Sequence, residues 1–302
     1  MKLTILGCYS ATPSINKHTT SQVLEMRGHQ FLIDCGEGTQ MHMRKHRIRF
    51  SRIKHIFISH LHGDHCFGLA GLVSTFRLYT RKEPLHIYAP KGLKEVVTLQ
   101  MKLADSWTNY PLHFHELSST KSELIFQDDK VEVYTIPLDH RVYTNGFLFK
   151  EKAHDRKLLV NKAEDFGIDK AYFRKLKQGF DVPDSNGNII ANELVTEMGK
   201  AKKSYAFCSD TKYNESIIPI IKNVDVLYHE STFLNEHRHL TEKTKHSTAE
   251  EAANIANKAH VNTLILGHYS TRYEDLVLFK NEAQEVFANV ELSEDGKVFD
   301  FN

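Results

Sequence analysis

The stretch IKHIFISHLHGDHCFGLAGL, residues 53–72, decides how this chain is read. Its first part, Ile53 to Ser59, is a continuous, isoleucine-rich apolar run of the kind found in strands buried on both faces. Four side chains able to bind metal follow within six positions: His60, His62, Asp64 and His65. Gly63 lies among them and permits the tight turn that lets several side chains converge. In an α/β layer, ligands bind in the loop beyond the carboxyl end of a strand. Imidazole and carboxylate together suit zinc and need no thiolate. A single histidine here would read as an exposed loop residue. HxHxDH directly after a buried strand points to a metal.

Four residues on one loop do not fill two metal sites, so further ligands are expected elsewhere. The pattern of an apolar strand ending in a single ligand-type residue recurs three times. VEVYTIPLDH ends at His140, SYAFCSD at Asp210 and NTLILGH at His268. Any one of these would pass for a turn or cap residue. Together, at one edge of a presumed sheet, they extend the cluster.

The remaining sequence frames this site. The 302 residues are enough for one large α/β domain or two small ones. Hydrophobic residues make up 41% and charged residues 25%, an ordinary globular balance, and no apolar run is long enough to span a membrane. MKLTILGCYS reads as a first strand and not as a secretion signal. Cys8, Cys35, Cys66 and Cys208 are far apart without a CxxC pair, which suits reduced thiols in a cytoplasmic protein. Net charge is only +1, which excludes a uniformly basic nucleic-acid binder. MRKHRIRFSRIK, residues 43–54, is locally cationic and reads either as a solvated helix end or as a phosphate patch.

Strands are expected at 2–6, 30–34, 53–59, 85–89, in LHFHEL and VEVYTI, and at 204–209, 224–229 and 262–267. Helices are expected at EGTQMHMRKHRI, FGLAGLVSTFRLYT, GLKEVVTLQMKLA, TAEEAANIANKA (248–259) and from Tyr273 to Ala288. The threonine and early acids of 248–259 suit a helix start. Residues 151–200 break the rhythm: they are polar, lysine-rich and contain the loop-like VPDSNGN. They read as an arm outside the domain, either a surface excursion of no function or a functional arm, as long excursions often are.

HLHGDH, with Asp34 in FLIDCGEG, His140, SDT at 209–211 and GHYS at 267–270, resembles the metallo-β-lactamase superfamily. More narrowly, DCGEGTQ (34–40), FISHLHGDHCFGLAGL (57–72), HEST (229–232), HSTAEEAA (246–253) and LGHYSTRY (266–273) resemble the ribonuclease Z family of tRNA 3′-processing endonucleases. The likeness runs in order through nearly the whole chain. It implies a single α/β domain over 1–302, a four-layer αββα sandwich, with an inserted arm at about 151–200 as a candidate exosite. It also implies two zinc ions per subunit. His60, His62 and His140 would hold one, Asp64, His65 and His268 the other, and Asp210 would bridge them. Asp34 would orient ligand histidines through hydrogen bonds.

The implied reaction is removal of the 3′ trailer from precursor tRNA, by hydroxide held between two metals attacking phosphorus. Asp64 would accept the proton of the attacking water, and His246 would stabilise charge or protonate the leaving oxygen. His229 and Glu230 would support this loop or the metal shell, and no catalytic role is assigned to them. The family's PxKxRN segment corresponds here to TPSINKHTTSQ (12–22), which keeps Lys17 and His18 but lacks the arginine. The family's glycine-proline element corresponds to FGIDKAYFRKLKQG (166–179), which has no proline but keeps Arg174, Lys175 and Lys177. These cations are candidates for phosphate contacts that select tRNA by shape. A homodimer in the cytoplasm, with no membrane, is the expected setting. Hydrolysis of other small or cyclic phosphodiesters by the same ligands is the alternative activity. A silent binding module on the same fold is disfavoured because every expected ligand is present.

Overall fold

The computed structural model describes residues 1–301. Two compact units emerge. The first comprises Met1–Gln127, Val131–Lys150 and the chain from Ser204 onward. The second comprises Asp128–Lys130 and Glu151–Lys203.

The first unit carries two seven-stranded sheets. One is built from β1 (Lys2–Gly7), β2 (Ser21–Met26), β3 (His29–Ile33), β4 (Ile53–Phe57), β5 (Leu85–Pro90), β6 (Leu112–Leu117) and β14 (Val298–Asp300), in the order β14-β1-β2-β3-β4-β5-β6. The other is built from β7 (Leu124–Gln127), β8 (Val131–Pro137), β9 (Asn145–Glu151), β10 (Ser204–Cys208), β11 (Val226–Glu230), β12 (Thr263–Gly267) and β13 (Val290–Leu292), in the order β13-β12-β11-β10-β9-β8-β7. Strands β3 to β6 run parallel, as do β10 to β13.

The two-residue period of the strands sorts side chains into layers. Phe31, Ile33 and Phe57 join the core between the sheets. Their neighbours Leu32, Ile56 and Ile58 pack under helices Leu69–Leu78 and Leu93–Leu103. Helix Ala249–Lys258 covers the other sheet with Ala252, Ala253, Ile255 and Ala256. The result is four layers, αββα, as the resemblance implied. Aromatic rings tie the sheets together, with Phe149 centred 5.2 Å from Phe31 and 5.3 Å from Phe57.

Thr248 caps helix Ala249–Lys258: its Oγ1 accepts from the Glu251 amide, and Glu251 accepts from the Thr248 amide. The helix expected from Tyr273 to Ala288 is shorter, Val277–Gln284. Strand β9 was not foreseen, because the glycine in NGFLFKE looks like a turn signal. Gly146 is there for space: a Cβ would lie 2.3 Å from the Phe207 carbonyl oxygen on β10.

The second unit has its own small core of Ala163, Ile168, Leu176, Val182 and Val195. Short pairings Lys157–Leu158 with Thr196–Glu197, and Val182–Pro183 with Ile189–Ile190, frame it. Asn192 ties it internally, donating to the Leu176 carbonyl at 2.6 Å. Lys150 of β9 and Ser204 of β10 are ladder partners, so the chain leaves for this unit and returns from it on one rung.

Phe149→Ala removes a fully buried ring that contacts both sheets, and should lower the unfolding free energy by about 3–5 kcal/mol. Chemical denaturation checks this, and a loss below about 1 kcal/mol would mean the inter-sheet core tolerates the cavity.

Candidate metal centre

The candidate ligands come together where the strands end. β4 leads through Ile58 and Ser59 to His60, and Gly63–Cys66 forms one helical turn carrying Asp64 and His65. β8 leads to His140, β10 to Asp210 and β12 to His268. Ligand atoms of His60, His62, His140 and Asp210 lie within 4.8 Å of one another, as do those of Asp64, His65 and His268. Asp210 faces both groups. Its Oδ2 is 3.5 Å from His60 Nε2 and 3.7 Å from His140 Nε2. Its Oδ1 is 3.1 Å from both His65 Nε2 and His268 Nε2.

The outer nitrogens of four imidazoles decide what the inner ones can do. His65 Nδ1 donates to Asp34 Oδ2 at 2.7 Å. His140 Nδ1 donates to the Lys245 carbonyl at 2.9 Å. Ser59 Oγ donates to Asp34 Oδ2 and therefore accepts from His60 Nδ1, at 3.0 Å. Thr232 Oγ1 donates to Glu230 Oε2 and therefore accepts from His268 Nδ1, at 2.9 Å. With the outer proton fixed, each ring in its neutral form turns a lone pair inward. His60 Nε2 and His62 Nδ1 are 3.0 Å apart, and His65 Nε2 and His268 Nε2 are 3.4 Å apart. Converging nitrogen lone pairs and carboxylate oxygens fit a divalent cation such as zinc.

The electrostatics agree. Burial, with the neighbouring His65 imidazole, pushes His60 well below the ordinary histidine value. Burial also lowers His62 and His140, against the pull of Asp210. Burial opposes charge on His65 as well, yet Asp210, Asp64 and Asp34 together pull it well above its usual range. Burial would raise Asp64, but His65 and hydrogen bonds from His268 and His65 hold it far below the usual carboxylate range. The field of the site favours positive charge.

Three of these positions carry backbone cost. Asp34 (φ 55°), Asp210 (φ 58°) and His268 (φ 59°) all lie in the left-handed region, which aspartate and histidine visit more readily than most residues. Gly36 allows the Asp34 loop to close on the Asp64 loop, since a Cβ there would lie 2.3 Å from the Asp64 carbonyl oxygen. Asp34 itself is fully buried and also accepts from the Ser59 amide at 2.7 Å.

His246 stands beside both groups, its ring 5.1 Å from His140 and 5.3 Å from His268. Its Nδ1 contacts Glu230 Oε1 at 2.8 Å. Burial disfavours the imidazolium, but this carboxylate outweighs burial and lifts His246 to about 9. Glu230, expected to support the loop or the metal shell, is a hub. Besides His246 and the Thr232 hydroxyl, it accepts the amides of Thr211, Thr232 and Ser247. His229 is fully buried beside it, with Nδ1 2.8 Å from the Glu230 carbonyl.

None of the RNA candidates belongs to the groups of clustered ligand atoms. Lys17 Nζ donates to the carbonyls of Thr271 and Tyr273, both at 3.0 Å, so it fastens the STRY segment. His18 pairs with Asp295 at 2.7 Å. Arg174, Lys175 and Lys177 are exposed on helix Phe173–Lys177 of the second unit, with Leu176 buried behind them. Sequence reasoning missed Arg141, an exposed guanidinium next to His140, which shares a cavity wall with that ligand. The signal was present in the triplet DHR: a cation directly after a ligand histidine.

Comparison with known proteins places this geometry. Residues 1–178 match the family model described as anti-Pycsar protein Apyc1. Ribonuclease Z of Cytophaga hutchinsonii is 46% identical over 302 residues, covering 99% of this chain and 95% of that protein. Ribonuclease Z of Parabacteroides distasonis is 42% identical over 294 residues, 97% of either chain. The crystal structure of the short form of human tRNase Z matches with a TM-score of 0.73 at 26% identity, over 99% of both chains. A metallo-β-lactamase fold protein of Bacillus subtilis, at 17% identity and TM-score 0.69, shares the fold. With full-length relatives above 40% identity and the HxHxDH loop at the sheet edge, the chain belongs to the ribonuclease Z family of the metallo-β-lactamase fold.

Proposed function

We propose that the chain is a zinc-dependent endoribonuclease that removes the 3′ trailer from precursor tRNA. It would act in the cytoplasm as a homodimer with two zinc ions per subunit. The observation that carries this reading is the two-sided Asp210 carboxylate. It faces His60 and His140 through one oxygen and His65 and His268 through the other, in a chain of the ribonuclease Z family. All four cysteines are buried and unpaired, which suits a reducing compartment. Among the described residues, no helix is long and apolar enough to cross a membrane.

His60, His62 and His140 would hold one ion, Asp64, His65 and His268 the other, with Asp210 shared. Zinc supplies Lewis acidity there, polarising a phosphate and acidifying water toward pKa ~7. Asp34, Ser59, Thr232 and the Lys245 carbonyl keep the ligand rings in the required tautomer. Asp64 takes the proton of the attacking water, and its Oδ2 is positioned by the Ala11 amide at 2.8 Å. Glu230 holds His246 by Nδ1, which leaves Nε2 to serve the departing ribose oxygen as proton donor. Arg174, Lys175 and Lys177 of the 151–200 arm, with the loop fastened by Lys17, would contact tRNA phosphates, reading shape and not sequence.

A second reading is hydrolysis of small or cyclic phosphodiesters at the same centre. The clustered histidines and aspartates would serve any phosphodiester alike. The arm separates the two readings, since a small diester has no use for it.

Purified protein should carry about two zinc ions per chain, and chelation should abolish cleavage until zinc is restored. Elemental analysis far below that, with no rescue, contradicts the metal assignment. On a 3′-extended precursor tRNA, Asp64→Ala should lower kcat by at least about 10³-fold and His246→Ala by about 10²–10⁴-fold. Gel analysis that finds either variant within threefold of wild type removes that residue from the mechanism. Reversing charge at Arg174, Lys175 and Lys177 together should raise KM for precursor tRNA roughly tenfold and flatten its salt dependence. The same variant should hydrolyse a small aryl phosphodiester at the wild-type rate. Equal retention of both activities favours the second reading.

A further inference from the structure

Two cavities share wall residues close in the chain to the candidate ligand His140. One, of about 500 Å³, has His140 and Arg141 in its wall. The other, of about 440 Å³, is walled by Leu61, Pro90, Leu117, Val142 and Tyr143, with Lys91 at its charged side. Val142 and Tyr143 belong to both, forming a shared ridge. The second cavity is tied to the centre through the chain as well: Leu61 stands between His60 and His62, and Val142 follows His140 by two residues.

The walls are built to stay in place. The Tyr143 hydroxyl donates to the Ser119 carbonyl at 2.9 Å and accepts from Asn145 Nδ2 at 2.8 Å, so the ring is held at its far end. Leu117 and Pro90 sit on paired strands, and the Lys91 amide donates to the Leu117 carbonyl at 3.3 Å. The volume falls within the roughly 300–1,000 Å³ of small-ligand pockets. Phosphodiester chemistry at the metal ligands has no need of an aliphatic and aromatic chamber next door. A nucleotide does: it is a flat apolar base joined through a sugar to a phosphate. Arg141 and Lys91, both exposed, supply cations on either side for the adjoining phosphates.

We propose that this chamber is a nucleobase subsite. It receives the base of an unpaired nucleotide next to the scissile phosphate, while Arg141 holds a phosphate at the His140 side. The proposal rests on the RNA-cleavage reading above and deepens it. The Tyr143 ring, Leu61 and Val142 grip the base by stacking and apolar contact. Such contact accepts any base, because every base has a π-face. The centre would then position single-stranded RNA without reading its sequence, and Val142 and Tyr143 are positioning residues for the cut.

The test compares wild-type cleavage of a 3′-extended precursor tRNA with two copies of that RNA. Each carries one abasic nucleotide, immediately 5′ or immediately 3′ of the cut. One abasic RNA should lose roughly tenfold in kcat/KM. Val142→Trp, which fills the chamber, should lower kcat/KM on intact RNA by a similar factor and erase the difference between intact and abasic substrates. Its metal content and thermal midpoint report whether the centre and fold survive the substitution. Two results overturn the proposal: both abasic RNAs cut as fast as intact RNA, or an abasic penalty that persists undiminished in Val142→Trp. Failure of the parent reading shows differently, as wild-type protein that leaves intact precursor tRNA uncut, and the subsite falls with it.

Discussion

The outward hydrogen bonds of the candidate ligand imidazoles are the constraint on which the site depends. His60, His65, His140 and His268 each give their outer N–H to a protein oxygen, on Ser59, Asp34, Lys245 and Thr232 respectively. A histidine free to flip would point a proton, not a lone pair, at its neighbours half the time. Fixing the outer proton makes the inner nitrogens a donor set before any ion arrives. This asks the protein for buried acceptors at the right depth. Hence Asp34 is wholly enclosed and its backbone lies in the left-handed region.

A second layer of order radiates from Glu230. Five N–H and O–H groups converge on this one fully buried carboxylate, from Thr211, Thr232, Ser247 and His246. Burial would raise it, but His246 beside it holds it below the usual range. Glutamine is no substitute, because an amide would set its own N–H groups against groups that only donate. The loops after β10 and β11 and the turn before helix Ala249–Lys258 are thus locked to one point. That point also aims His246.

Much of the site was legible in the sequence because its ligands follow strand ends, and strand ends are marked by abrupt loss of apolar residues. HxHxDH after IKHIFIS, and the single residues His140, Asp210 and His268, stood out for that reason. The capped helix at 248–259 was equally plain, since a capping box is a local signal. What stayed hidden is non-local. Strand β9 carries Gly146, whose meaning comes only from the close approach of β10. Glu230 looked like a support residue until its five donors were assembled from three segments. Arg141 and the apolar chamber depend on which surfaces face the same opening, and no spacing in the chain announces that. Lys17 was visible as a cation, but its engagement by the STRY carbonyls required the fold.

The junction at Lys150 and Ser204 has a consequence beyond architecture. These residues are opposite partners on adjacent strands, so the 151–203 excursion is hung on a single rung, with its own small core. Lengthening, trimming or exchanging that excursion between its ends leaves the ladder pairs from Ser204–Lys150 to Phe207–Phe147 in place. Selection can therefore change the length and composition of the excursion while the strands that carry the candidate ligands stay as they are.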